Sequence, residues 1–194
     1  MPELPEVEHV KRGIEPFIVN TVIKSITFSE KVIEGKNQHK ETIIKGMNLD
    51  DFRLNCEDYK IIKVERRSKY IVFYIEKNNR KRVLISHLGM AGGFFIVNHL
   101  SEITTPNYRK HWHVIFQLDN GKKLVFSDIR RFGEIRNLNS FKDYPSFLEI
   151  APEPFDEEAL QHFIHCLSQK KVANKPIKQM LLDHKIVAGF GNIY

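Results

Sequence analysis

The sequence has 194 residues, of which 42% are hydrophobic and 28% charged, a composition typical of one large globular domain or a domain plus part of a second. Two distant cysteines, Cys56 and Cys166, support neither a disulfide framework nor a zinc ribbon, and no signal peptide or membrane span of roughly 20 apolar residues is present, so a reducing cytoplasm is expected. The net charge of +6 suggests an anionic partner such as nucleic acid, although a solvated basic surface would give the same excess.

The first predicted element is a helix from Pro5 to about Glu15. Acidic residues are concentrated at its start and basic residues follow, as the helix dipole favours. Gly13 weakens this helix, and Pro16 is expected to end or kink it. Its apolar residues recur at steps of three and four and form one stripe, which consists of Val7, Val10, Ile14 and Phe17.

The segment from about Val22 to Leu138 is predicted to form mostly strands. Its apolar runs are separated by polar turns, one of which contains Asn78 and Asn79. The strongest hairpin signal is Asn120-Gly121, which separates the runs HVIFQL and KKLVFSD. Hairpins of this kind stack into a sandwich or a barrel.

Helical spacing returns after Leu138. One helix is predicted with Asp156 as its N-cap, and its apolar residues are Leu160, Phe163, Ile164 and Leu167. A second helix is predicted to begin near Lys175-Pro176, because proline suits the first helical position. The sequence therefore predicts an α+β fold with a β domain at 1–138 and a helical region at 139–194.

The N-terminus, MPELPE, contains residues that could carry chemistry. An initiator methionine before proline is normally removed, which would leave Pro2 with a free secondary amine. The pKa of an α-amino group is roughly 7.7–8.0, so this amine could attack a carbonyl-level carbon at neutral pH. Glu3 and Glu6 lie close enough in sequence to transfer protons beside it. On these residues alone, a helix start with a charge-matched dipole is the favoured interpretation.

Six motifs occur in order along nearly the whole chain: PELPEVE, RRSKY, SHLGM, KHWHV, DIRRFG and VAGFGNIY. Together they closely resemble the bacterial formamidopyrimidine-DNA glycosylases, which remove oxidised purines such as 8-oxoguanine from DNA. The opening motif and GNIY are specific signals, whereas RRSKY or SHLGM alone would be weak. Leu4 favours this family over the related endonuclease VIII group, which typically opens with a PEGPE-like sequence.

The resemblance implies an N-terminal helix packed on a two-sheet β-sandwich, followed by the start of a helical domain. It also implies a bifunctional glycosylase and apurinic/apyrimidinic lyase. Pro2 is implied to attack C1′ of the damaged nucleotide and form a Schiff base, which β- and δ-elimination follow. Glu3 matches the acid that assists sugar ring opening, and Glu6 matches a supporting carboxylate. Lys69 and His87 match residues that hold phosphates flanking the lesion, and both can donate hydrogen bonds to anionic oxygens. For His87, the alternative is a structural histidine at a strand end.

The resemblance also implies a set of side chains that fill the gap left by an extruded base. These are Met90, Arg130 and Phe132. Without the resemblance, Met90 and Phe132 would be interpreted as core residues. Arg131 and Asn192 match residues that contact backbone phosphates.

The HxH pattern of His111 and His113 could indicate a metal site, since alternate strand residues share a face. No third ligand is evident, so no metal site is predicted in this chain. The resemblance instead implies that His111 lies near the DNA.

The family resemblance also implies features that this sequence lacks. Family members continue through a helix–two-turn–helix unit to a four-cysteine zinc finger, so residues 139–194 are expected to be an incomplete helical DNA-binding domain in a truncated chain without the zinc. Double-stranded DNA containing oxidised purines is the expected partner, and a monomer is expected. If Met1 is retained, the Pro2 nitrogen is an amide and catalysis is blocked. A non-catalytic DNA-binding fragment and a basic β-domain that binds another protein are the alternatives.

Overall fold

The computed structural model of the protein describes residues 2–169 and 175–193. Its first element is helix α1 (Leu4–Ile18), at whose start the Glu3 backbone N–H donates to the Glu6 carboxylate at 2.9 Å. The helix does not end at Pro16 as predicted. Proline only removes one donor in the last turn, where the Val19 N–H still bonds to the Glu15 carbonyl.

The buried side of α1 differs in part from the predicted stripe. Val7 and Ile14 are buried as expected, but Phe17 is 46% exposed and Ile18 is fully buried in its place. Because the helix continues beyond Pro16, Ile18 lies one turn after Ile14 and faces the same core.

Within the described residues, nine strands and six further helices follow α1. The strands are, in chain order, β1 (Ile23–Phe28), β2 (Ile44–Lys45), β3 (Lys60–Arg67), β4 (Tyr70–Lys77), β5 (Arg80–His87), β6 (Gly92–Val97), β7 (Trp112–Leu118), β8 (Lys123–Asp128) and β9 (Glu134–Leu138). The helices are α2 (Glu30–Asn37), α3 (Leu49–Leu54), α4 (Pro106–Lys110), α5 (Pro145–Leu148), α6 (Ala159–Ser168) and α7 (Ile177–Leu181).

The strands form two sheets that share one core. The four-stranded sheet has the order β1-β7-β8-β6, and the five-stranded sheet has the order β2-β9-β5-β4-β3. Every named pairing is antiparallel except β2 with β9. The core between the sheets also buries one side of α1. The predicted α+β fold with a helix on a two-sheet sandwich is therefore confirmed.

Both predicted hairpins are present. Asn78 and Asn79 adopt positive φ angles of 49° and 63° in the two-residue turn between β4 and β5. Gly121, with φ of 83°, lies in the turn between β7 and β8. Asparagine and glycine tolerate this left-handed region, which is why the turn signals in the sequence were reliable.

Helix α6 is present, but its predicted cap is wrong. The Asp156 carboxylate accepts the Glu153 backbone N–H at 2.8 Å, and the residue before the helix is Glu158. An aspartate in a turn bonds to its nearest free N–H, and here that group precedes it. Helix α7 begins at Ile177, directly after Pro176.

The last strand ends at Leu138, at the predicted domain boundary. The following segment returns to the sheet, because Phe147 and Ile150 pack with Val72 and Ile85 on its outer face. The division into two domains at this point stays a prediction. Among the described residues, no helix is long and apolar enough to cross a membrane.

Candidate active site

The predicted site residues lie at one end of the five-stranded sheet. Tyr70 at the start of β4 pairs with His87 at the end of β5, and His87 also pairs with Glu134 at the start of β9. Lys69 directly precedes β4, and the loop 129–133 directly precedes β9. Adjacent strands are about 4.8 Å apart, so the topology brings these separate motifs together.

The N-terminus is held in place at this end by the segment 189–193. Glu3 is 1% exposed, and its Oε1 accepts the Ile193 backbone N–H at 2.8 Å. The Leu4 N–H donates to the Gly189 carbonyl at 3.2 Å. A Cβ on Gly191 would overlap the Glu3 carboxylate, so any larger residue there would have to displace that side chain. Buried Glu3 is thus clamped by backbone from the far end of the described chain.

Lys69 lies beside this clamp. Its Nζ donates to the Phe190 carbonyl at 2.9 Å. Partial burial lowers the pKa of Lys69 below its ordinary value, and the charge of Glu3 partly opposes this effect. Pro2, the residue before Glu3, is half-buried. The structure therefore brings Pro2, Glu3, Glu6 and Lys69 to one region, and Met1 lies outside the described residues.

Ser68 is a site residue that sequence reasoning missed. It is buried in the β3–β4 turn with φ of 54°, and its Oγ accepts the Gly189 N–H at 2.9 Å. Its own carbonyl accepts a hydrogen bond from Arg66 at 3.0 Å. A serine at a turn is ordinary in sequence, and only its burial against the segment 189–193 reveals this role.

Glu153 connects the same turn to α1 through Arg66, and it also contacts Arg67. Its carboxylate accepts from Arg66 at 2.7 Å and from the Ser68 N–H at 2.5 Å, and Arg67 lies 3.4 Å away. Arg66 also donates to Glu8 of α1 at 3.0 Å. Burial raises the pKa of Glu8, but the hydrogen bonds from Arg12 and Arg66 outweigh it, and the pKa is lowered. We refer to Glu8, Arg66, Arg67 and Glu153 as the ion-pair network.

His87 is largely buried, with one ring nitrogen engaged locally. Its Nδ1 accepts the Gly89 N–H at 3.0 Å, so the neutral ring carries its proton on Nε2. Burial lowers the pKa of His87; Glu134 opposes this and Lys69 adds to it. A neutral imidazole with Nε2–H can donate to an anionic oxygen, which is the chemistry that the predicted phosphate contact needs.

Met90 and Phe132 are exposed and lie on adjacent loops. They are 42% and 60% exposed, respectively, which excludes the core interpretation. Gly89, with φ of +64°, lies so close to the backbone of Gly133 that a Cβ would overlap it. The Arg130 guanidinium stacks over the Phe132 ring, 5.2 Å from its centroid. We refer to Met90 and Phe132 as the wedge.

Asp128, which the sequence did not single out, holds the loop 129–133. Its fully buried carboxylate accepts the Arg130 N–H at 3.0 Å and the Gly133 N–H at 2.7 Å. The two hydrogen bonds fix the conformation of the loop. Arg131 in this loop is exposed and has a φ of 58°. The available signal was an aspartate at the start of DIRRFG, where such side chains bond to the following turn.

The two histidines of the HxH pattern have different environments. His113 is buried, with Nδ1 at 3.2 Å from the Ser29 hydroxyl and Nε2 at 2.9 Å from the Asp128 carbonyl, and burial lowers its pKa. His111 is half-buried at the end of α4. Both nitrogens of His113 are therefore engaged. No group of three metal-ligating side chains occurs within 2–169 and 175–193, and the family resemblance assigns its zinc to a four-cysteine finger that is not among these residues.

Asn192 is exposed next to Ile193, whose N–H bonds to Glu3. Hydrogen bonds and strand pairing therefore connect the predicted residues. Buried Glu3 bonds to the segment that contains Asn192, and that segment bonds to Lys69. The strand that follows Lys69 pairs with the strand of His87, which pairs with the strand after the loop of Arg130 and Arg131. His111 is connected to this region through its carbonyl, which accepts the Asp128 N–H at 3.0 Å.

Comparisons with known proteins point to one family. A sequence profile of the formamidopyrimidine-DNA glycosylase N-terminal domain matches residues 1–135. Formamidopyrimidine-DNA glycosylase of Streptococcus agalactiae serotype III (strain NEM316) is 38% identical over 197 residues, and that of Rickettsia bellii (strain OSU 85-389) is 38% identical over 198. Each alignment covers 100% of this chain and 64% of the relative.

Solved structures give the same result. Lactococcus lactis Fpg in complex with DNA containing an oxidised pyrimidine is similar at a TM-score of 0.77 and 29% identity, covering 100% of this chain and 65% of that one. Its complex with abasic-site DNA has a TM-score of 0.76 and 28% identity over 99% of this chain and 64% of that one. The chain thus spans slightly less than two thirds of these relatives, and it belongs to the formamidopyrimidine-DNA glycosylase family.

Proposed function

We propose that the protein is a DNA glycosylase and apurinic/apyrimidinic lyase of base excision repair that excises oxidised purines through a Schiff base on Pro2. The observation that carries this proposal is the clamped N-terminus. Pro2 is half-buried, Glu3 is buried, and Lys69 donates to a carbonyl of the segment that also binds Glu3. Family membership and the relatives' complexes with DNA support the same reading.

The proposed reaction starts from the amine that removal of Met1 leaves on Pro2. Its lone pair forms a bond to C1′ of the damaged nucleotide while the bond from C1′ to the base breaks. The electron pair leaves with the base, which takes up a proton, and the attacking nitrogen loses one. Glu3 then supplies a proton to O4′ as the sugar ring opens, and an iminium ion remains on Pro2.

The iminium ion makes the strand cleavable. It acidifies the C2′ proton, whose removal expels the 3′ phosphate in β-elimination, and a second elimination expels the 5′ phosphate. Lys69 and His87 each offer a donor to these anionic groups, and holding the phosphates keeps C1′ beside Pro2. Glu6 supports the site by fixing the Glu3 backbone N–H.

Borohydride trapping tests this proposal. Borohydride reduces the imine, so wild-type protein should become covalently linked to duplex DNA containing 8-oxoguanine. Pro2→Gly should reduce the yield strongly, whereas Pro5→Ala, three residues further along and within α1, should retain most of it. Mass spectrometry of each protein first verifies that Met1 is absent. No adduct with the processed chain, or an adduct undiminished by Pro2→Gly, contradicts the proposed chemistry.

The second candidate function is DNA binding without catalysis. It is favoured by the exposed basic residues Arg130 and Arg131 beside the exposed Phe132, which can contact DNA without covalent chemistry. It predicts salt-dependent binding to duplex DNA with no trapped adduct, even when Met1 is absent. The trapping experiment therefore separates the two functions.

A further inference from the structure

A basic pocket lies between α2 and the loop 129–133. The wedge separates this pocket from Lys69. The pocket has a volume of about 240 Å³. Four cations and one carboxylate are among its lining residues, namely Lys31, Lys40, Arg130, Arg131 and Glu41. We refer to this cavity as the α2 pocket. Its positive excess suits an anionic ligand.

The lysines of the α2 pocket form no strong ion pair with other described residues. Lys31 forms an ion pair with the exposed Glu34 at 3.2 Å. Glu41 forms its ion pair with Lys45, at 3.4 Å. Lys40 donates only to the neutral Gln38 amide, at 2.7 Å. Exposed pairs of this kind are weak, so these ammonium groups remain available to a phosphate.

Thr42 contributes a polar group to the same wall. Its hydroxyl is shielded from solvent and has no hydrogen-bond partner among the residues that the structure describes. A buried hydroxyl without a partner is costly. Because Thr42 lines the α2 pocket, we expect an anion bound there to supply the acceptor that this hydroxyl lacks.

The position of the α2 pocket indicates which anion it would hold. Thr42 precedes β2, the edge strand of the order β2-β9-β5-β4, while Lys69 precedes β4. Three strand spacings, about 14 Å, therefore separate the pocket wall from Lys69. The wedge lies between them, on the loops next to β5 and β9. A wedge inserted into a base stack has one DNA backbone on each side.

We propose that the α2 pocket binds a backbone phosphate of the strand opposite the lesion, through Lys31, Lys40, Arg131 and the Thr42 hydroxyl. This inference rests on the proposed function, because the lesion strand is assigned to Lys69 and His87. Phosphates are recognised by lysine, arginine and hydroxyl donors, and such contacts position the duplex without reading its sequence. The pocket thus holds the second strand while the wedge fills the stack.

Salt-dependent binding tests this site. Affinity for a duplex with a stable abasic-site analogue is measured from low to moderate salt for wild type, for Lys31→Ala/Lys40→Ala and for Lys81→Ala. Lys81 lies at the other end of β5, so its variant controls for the loss of a lysine charge outside the α2 pocket. Each lost phosphate contact lowers the slope of log K against log[salt] by about 0.9. The double variant loses the two lysines that hold this one phosphate, so its slope on the duplex should fall by about 0.9, and Lys81→Ala should match wild type.

The same proteins are tested on the lesion strand alone, where the double variant should bind like wild type. An unchanged slope on the duplex, or an equal loss on the single strand, overturns the proposed site. Trapping is measured in parallel. If the wild-type protein traps DNA normally but the double variant keeps the wild-type salt slope, only the proposed pocket is contradicted. If the wild-type protein traps no DNA but the double variant shows the expected reduced salt slope, the proposed catalysis is contradicted and the pocket is supported.

Discussion

At the scale of single residues, the site depends on glycine at position 191. Its Cα lies against the Glu3 carboxylate, at a point where any Cβ would overlap. Glu3 is the proposed acid, so the space that Gly191 leaves determines where the proton donor lies. This makes the glycine a positioning residue with a clear chemical effect.

We expect Gly191→Ala to displace the Glu3 carboxylate and to lower the yield of borohydride trapping at least about tenfold, since a misplaced catalytic group is costly. The control is Gly13→Ala on the open side of α1, where no atom lies within 4 Å of the added Cβ. It should leave trapping unchanged and stabilise the fold by about 0.5–1 kcal/mol, measured by urea unfolding. Full trapping by Gly191→Ala would show that Glu3 is not fixed by this contact.

The sequence could identify residues whose role follows from a motif. Pro2, Glu3 and Lys69 were predicted in this way, and the structure brings them together. Ser68 and Asp128 were missed because their roles consist of hydrogen bonds to backbone groups. Such bonds depend on which N–H comes near in the folded chain, and spacing in sequence does not reveal it.

At the scale of elements, the ion-pair network joins three parts of the molecule. Arg66 at the end of β3 bonds to Glu8 of α1 and to Glu153, whose carboxylate also holds the Ser68 N–H. The side chains of Arg66 and Glu153 are only 14% and 16% exposed. Breaking one partner of a pair this sheltered leaves a charge poorly solvated.

Replacing Glu153 with glutamine should therefore destabilise the protein by about 2 kcal/mol, because Arg66 and Arg67 lose an anionic partner while the size of the side chain is kept. Glu149→Gln is the matched control, since its pair with Lys185 is more than half exposed on both sides. Urea midpoints of the two variants should differ clearly, with Glu149→Gln near wild type. Equal midpoints would mean that the network contributes no more than a surface pair.

Helices and strands were predicted correctly where the sequence shows turn residues or a hydrophobic periodicity sustained over many residues. The hairpins at 78–79 and 119–122 follow from asparagine and glycine in the turns. Helices α2 and α3 were missed within the segment expected to form strands. Each is short and buries a single apolar side chain, Val32 or Phe52, so neither shows a helical period.

At the scale of the whole molecule, the stability of the fold should depend on pH through its buried histidines. Burial lowers the pKa of both His87 and His113 below the ordinary value of 6.5. As the pH falls, these histidines therefore bind protons at a higher pH in the unfolded chain than in the folded protein. The free energy of unfolding therefore decreases as the pH falls. Groups such as Glu8 and Glu65, whose pKa values are also lowered, act only below about pH 4.5.

We expect the free energy of unfolding to be constant between about pH 7 and 8 and to decrease between about pH 6.5 and 5. His87→Gln removes one of the two titrating groups, so its decrease over this range should be smaller than that of wild type. Urea unfolding at half-unit pH steps measures both curves. A wild-type curve that rises toward pH 5, or a variant curve with an unchanged slope, would contradict this assignment.

Hydrophobic patterning and turns predicted strands that stack into a sandwich or a barrel, and the family resemblance selected the two-sheet sandwich. The assembly of the site at one end of a sheet was not predictable, since it depends on the strand order β2-β9-β5-β4-β3. That order places loops distant in sequence side by side. The α2 pocket illustrates this point, because Lys31 and Arg131 lie a hundred residues apart and line one cavity.

The contact between Glu3 and Ile193 has a consequence for protein synthesis. The two residues are 190 positions apart, and the ribosome makes the first of them long before the second. Until residues 189–193 have left the exit tunnel, Glu3 has no clamp and Lys69 lacks the Phe190 carbonyl. A growing chain would thus carry an incomplete site, and the proposed activity would require synthesis to have passed this point.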